Sequence, residues 1–76
     1  MAAVLGMVLK KQRLAKGLSQ EALAEKAGIH PTHVSLIERY ERNPSVNVAN
    51  SLAVALNISL SSLILEAEEL QKSSRR

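Results

Sequence analysis

Apolar residues recur at helical spacing along the chain, and the periodicity is interrupted at residues 17–19, 28–31, 40–45 and 57–59. Each interruption pairs a residue that stops a helix with one that starts the next, which divides the chain into five short helices with no strand pattern. Gly17 ends the first helix, expected over residues 3–16, and Lys16 sits in its last turn, where a cation suits the negative helix end. Ser19 caps the second helix, 20–27, with Leu18 and Leu23 as a hydrophobic staple, and Gly28 ends it. Pro31 opens the third helix, where its missing N–H is harmless; His30 is a mediocre cap, and Ile29 with Val34 forms a second staple. That helix runs to Arg39 or Tyr40. Ser45 caps a fourth helix, 46–56, Asn57 offers a left-handed exit, and Ser59 caps a fifth, 60–71. The fold class is all-α: one domain over residues 1–71, followed by a polar, frayed tail at 72–76.

The 76 residues include no Phe, Trp or Cys, so the core must be built from Leu, Val, Ile and Ala. A core of that size is marginal alone, and a partner subunit would add to it. Without cysteine there is no disulfide and no thiolate metal site, which fits a reducing compartment. The start, MAAVLGMVLKK, carries its charges after the apolar run, opposite to a secretory signal. No apolar run approaches the ~20 residues that span a bilayer. A soluble, cytoplasmic protein with no membrane partner is expected.

Lys and Arg outnumber Asp and Glu by 10 to 7, and the pI is about 9.7. Six of the ten basic residues gather in two runs, Lys10, Lys11, Arg13 and Lys16, then Arg39 and Arg42. A polyanion partner explains such clusters. A solvated helix surface explains the first of them equally well.

Residues 20–40, QEALAEKAGIHPTHVSLIERY, are the most informative segment. Leu23 and Ala27 form the apolar face of one helix, and Val34 and Ile37 that of the next. Ala24 is small where the two must cross, and Gly28 permits the abrupt turn. The spacing is that of a helix-turn-helix, whose second helix enters a DNA major groove; a plain αα-hairpin in a bundle is the alternative the same spacing could produce.

The longer run GLSQEALAEKAGIHPTHVSLIERYERNPSV resembles the Cro/repressor (Xre-type) helix-turn-helix family. GLSQ, LAEKAGI, VSLIER and RNPS are the shared features, and the likeness continues through VANSLAVALNISLSSLI. It is closest to the stand-alone controller proteins of restriction–modification systems. The resemblance implies a lambda-repressor-like five-helix domain that binds double-stranded DNA as a homodimer and regulates transcription without a cofactor.

A helical wheel of the third helix puts Val34, Ile37 and Glu38 on the core side and Thr32, Ser35, Leu36 and Arg39 on the opposite, reading side. Thr32 and Ser35 are hydroxyls able to meet base edges or phosphates. Leu36 can lie on a thymine methyl, or be a simple exposed leucine. In the resembled family the positions of Pro31, Thr32, His33 and Ser35 supply groove contacts; Pro31 has no polar group and can offer only van der Waals contact. The same resemblance assigns Gln20 to a phosphate at the start of the second helix, and Arg42 and Asn43 to the DNA backbone. Glu38 on the core side must be paired, and Arg13 is its natural partner, as the resemblance also implies.

Tyr40, the one aromatic residue, stands where the family usually has Gly or Asn. A left-handed conformation there costs roughly 1–2 kcal/mol, unless the helix runs further or a partner holds the ring. The wheel puts Tyr40 beside Leu36, with its hydroxyl toward a phosphate.

His30 and His33 are three apart but lack a third ligand, so no metal site is assigned. On the fifth helix Leu60, Leu63, Ile64, Ala67 and Leu70 form a stripe, with Leu65 off it. Leu60, Leu63, Ile64 and Ala67 are the expected dimer interface. DNA occupancy near a promoter would block or recruit RNA polymerase. An antitoxin-type module that holds a protein partner and also regulates its own operon is the alternative. An enzyme is not expected: there is no cysteine nucleophile, no glycine-rich phosphate loop and no acid to orient either histidine.

Overall fold

The computed structural model describes residues 2–73, with side chains over 4–72. Five helices follow in order: α1 (Ala2–Ala15), α2 (Gln20–Ala27), α3 (Pro31–Glu38), α4 (Val46–Ala55) and α5 (Leu60–Ser73). Among the described residues there is no strand. The boundaries agree with the punctuation to within two residues. Lys72 and Ser73, expected in a frayed tail, continue α5, and residues 74–76 of that expected tail lie outside the described residues.

Side-chain caps start four of the helices. Ser19 Oγ accepts the Ala22 N–H at 3.0 Å, Ser45 Oγ that of Val48 at 3.1 Å, and Ser59 Oγ that of Ser62 at 3.0 Å. His30 Nδ1 does the same for the Thr32 N–H at 3.1 Å. Each bond satisfies one of the backbone donors that an α-helix leaves open at its start.

Four helix ends share one design. Gly17, Gly28, Tyr40 and Asn57 all take positive φ, at 70°, 74°, 65° and 62°. After each of them the next N–H reaches back to a carbonyl in the last turn: Leu18 to Arg13, Ile29 to Ala24, Glu41 to Leu36 and Ile58 to Ala53, at 2.9–3.1 Å. This closure suits glycine and tolerates asparagine. Tyrosine at the third site is the departure, and the helix does not extend to avoid it: α3 ends at Glu38 and Tyr40 is left-handed.

The core draws on every helix: Val8 and Leu9, Leu23 and Ala24, Val34 and Ile37, Leu52, Ala53 and Leu56, and Leu63 and Ala67. Full burial of each large member stabilises the fold by about 1.5–3 kcal/mol. α2 packs on α3 and α4, and α1 spans the other side against α3 and α5. Ala24 and Ala53, fully buried, are small enough for close crossings.

Candidate nucleic-acid interface

α3 is fastened from behind. Val34 and Ile37 enter the core, and Glu38 is buried with them at 7% exposure. Arg13 meets its carboxylate with two bonds, Nε to Oε2 at 2.7 Å and Nη2 to Oε1 at 3.1 Å. Arg13 Nη1 also donates to the Leu18 carbonyl at 2.7 Å, which ties the α1–α2 turn to the same cluster. Gln20 Nε2 adds a donor to Glu38 Oε1 at 3.0 Å. Among the described residues no buried side-chain polar atom lacks a partner. The desolvation of two buried charges largely offsets their attraction, so the pair adds little over an apolar one; losing one member would leave the other charged and unsolvated.

A second fastening lies further along α1. A Cβ on Gly6 would stand 2.5 Å from the Ile37 carbonyl oxygen, so only glycine permits this approach of α1 to α3. The Tyr40 ring lies over the same glycine, its Cδ1 3.2 Å from that hypothetical Cβ. The wheel had put Tyr40 beside Leu36. Because helical geometry stops before it, the left-handed residue turns its ring onto α1 instead, and it remains 54% exposed. The contact with α1 helps to hold the costly backbone conformation.

The opposite side of α3 faces outward as the wheel requires. Thr32 and Arg39 are exposed, and Pro31, His33, Ser35 and Leu36 are half-buried. Arg39 makes an exposed pair with Glu41 at 3.6 Å, a weak contact that leaves the guanidinium available. Arg42 and Asn43 are exposed in the α3–α4 loop, and Gln20 stands half-buried at the start of α2.

Two of the four residues in the basic run that begins on α1, Lys10 to Lys16, are engaged inside the domain. Arg13 belongs to the buried pair, and Lys11 reaches Glu66 on α5 at 3.2 Å, beside a Gln12–Glu66 bond of 3.0 Å. Lys10 and Lys16 are exposed. His30 is committed to its cap, and among the described residues no group of three or more His, Asp or Glu converges on a common point.

The expected dimer residues separate into two kinds. Leu63 and Ala67 are fully buried in the core and cannot face a second subunit; this corrects the expectation for both. The stripe at spacings of three and four is the face α5 turns to its own domain. Leu60 is half-buried against that core, and Ile64 is 40% exposed. Leu60 and Ile64 line an apolar cleft of about 160 Å³ with Leu5, Pro44, Ser45, Val46 and Ala49. Val46 and Leu65 are more than half exposed. No single helix among the described residues is long and apolar enough to cross a membrane.

The arrangement has close counterparts. The helix-turn-helix family model matches residues 9–63. The transcriptional regulator SinR of Bacillus licheniformis is 35% identical over 69 residues, covering 90% of this chain; the chain spans 62% of SinR's own length. Control protein C.SmaI of Serratia marcescens is 39% identical over 61 residues, 80% of this chain and 73% of that protein. The crystal structure of the restriction–modification controller protein C.AhdI from Aeromonas hydrophila superposes with a TM-score of 0.79 at 40% identity, covering 82% of this chain and 94% of the other. With the α2–α3 geometry, these matches establish that the chain belongs to the helix-turn-helix family of the Xre type, alongside restriction–modification controller proteins.

Proposed function

We propose that this chain is a sequence-specific regulator of transcription that binds double-stranded DNA as a dimer on a roughly palindromic operator, in the manner of a restriction–modification controller. The observation that carries the reading is α3, a short helix fastened on its inner face by Arg13 and Gly6 while its outer face stays open. That face offers the Thr32 and Ser35 hydroxyls, the Leu36 methyls and the Arg39 guanidinium to a major groove, with His33 and Pro31 at its margin. Gln20, Arg42, Asn43 and the Tyr40 hydroxyl take phosphates, and Lys10 and Lys16 add salt-sensitive attraction. Single hydroxyl bonds discriminate weakly, so DNA deformability contributes to specificity.

The apolar cleft bearing Leu60 and Ile64 supports the dimer reading, and the names of C.SmaI and C.AhdI support the controller reading. The chain acts in the cytoplasm, where promoter occupancy blocks or recruits RNA polymerase. Selection of bound sequences from random duplex DNA tests the proposal. The expected product is a palindrome with half-sites about 34 Å apart, one DNA turn. Failure to enrich any sequence would overturn the reading. Sedimentation as a monomer at micromolar concentration, with and without DNA, would overturn the dimer.

A further inference from the structure

Gln20 is the first residue of α2, and its side chain is turned back to α3, where Nε2 donates to Glu38 Oε1 at 3.0 Å. An ionised carboxylate only accepts, so it selects the amide orientation with the NH2 group inward. That nitrogen carries two hydrogens, and one is left after Glu38 is satisfied. Ser19 Oγ takes the Ala22 N–H, while the N–H groups of Gln20 and Glu21, in the first turn of α2, have no partner within the helix.

We propose that Glu38 is a positioning residue for phosphate binding: it holds the Gln20 amide with the second N–H presented at the start of α2, and Arg13 cancels its charge. The inference rests on the DNA-binding reading above and adds a role to a pair that otherwise only pins α1 to α3. A lone carboxylate behind a phosphate site would repel the phosphate. Here Arg13 binds both carboxylate oxygens, and the side chains of Arg13 and Glu38 are 9% and 3% exposed, so the cluster presents a neutral back wall. Gln20 is only half-buried, so packing alone would leave a long side chain free to rotate. The Glu38 bond orders it before DNA arrives and removes an ordering penalty from the binding step.

The test pairs two backgrounds. Replacing the ion pair as R13M/E38M preserves net charge and much of the buried volume while removing the acceptor for Gln20. Gln20→Ala is then made in the parent chain and in R13M/E38M, and affinity for a mixed-sequence DNA duplex is measured at low salt. R13M/E38M is expected to weaken binding roughly 2- to 10-fold, the ordering cost of one long side chain. Gln20→Ala is expected to weaken the parent and to have little further effect in R13M/E38M. Equal losses in the two backgrounds would overturn the proposal.

A second measurement needs no variant and no DNA. Side-chain amide relaxation in the free parent should find Gln20 as restricted as Gln12, which bonds Glu66 at 3.0 Å. A Gln20 amide as mobile as that of the exposed Asn47 would overturn the proposal. A restricted Gln20 in a parent that binds no duplex would overturn the DNA-binding reading, and the phosphate role with it.

Discussion

At its C-terminal end α3 is tied to α1 twice, by the Arg13–Glu38 pair and by the approach of the Ile37 carbonyl to Gly6. At its N-terminal end the first turn is held by local means, the His30 cap on the Thr32 N–H and the fixed φ of Pro31. The two ends thus do different work. One is over-determined by contacts between helices and sets where the helix lies. The other is free of such contacts on its outer face, so Thr32 and Ser35 can change with little consequence for the fold. A reading helix needs both: a rigid mount, and a surface whose side chains are free to meet a partner.

Perturbing the mount should have the largest effect. Arg13→Ala leaves a buried carboxylate with Gln20 in place of a full counter-charge, and should lower stability by about 3–5 kcal/mol. Thermal or urea unfolding checks this, and an unchanged melting temperature would count against the pair as the anchor of α3. Gly6→Ala comes next. Alanine is favoured over glycine inside a helix by about 1 kcal/mol, yet its Cβ would meet a backbone oxygen that cannot move alone. A net loss of about 1–3 kcal/mol is expected, and a gain would mean that α1 slides freely over α3.

Tyr40→Gly probes the border between the two ends. It relieves a left-handed tyrosine, worth roughly 1–2 kcal/mol, and loses the ring contact over Gly6. Stability should hold or rise by less than about 1 kcal/mol, while DNA affinity falls; full affinity would leave the ring with a structural role alone. Thr32→Ala should be the mildest, within about 0.5 kcal/mol in stability. Its effect should surface in the sequences selected from random DNA. A large loss of stability from this change would erase the distinction between the two ends.

Much of this was readable in advance. The caps at Ser19, His30, Ser45 and Ser59, and the stops at Gly17, Gly28 and Asn57, depend on residues within about four positions of one another, a range over which side chains and backbone meet whatever the tertiary fold. The inner and outer faces of α3 followed from helical periodicity for the same reason. The strain suspected at Tyr40 was also legible, because a backbone stop is local and the residue is the wrong type for it.

What α5 and α1 do with their surfaces was not. Leu60, Leu63, Ile64 and Ala67 form a single stripe in sequence, but the rotation of α5 about its axis buries Leu63 and Ala67 and leaves Ile64 outside. The same holds for Lys11, bound to Glu66, for the Tyr40 ring on Gly6, and for Gln20 turned onto Glu38. Gly6 inside a helical pattern is compatible with a close approach, but only the fold brings the Ile37 carbonyl to it. Periodicity and residue type determined five helices, their ends and the outward face of α3. Helix rotation and crossing decided which side chains meet across them, because those contacts join residues far apart in the chain that only packing brings together.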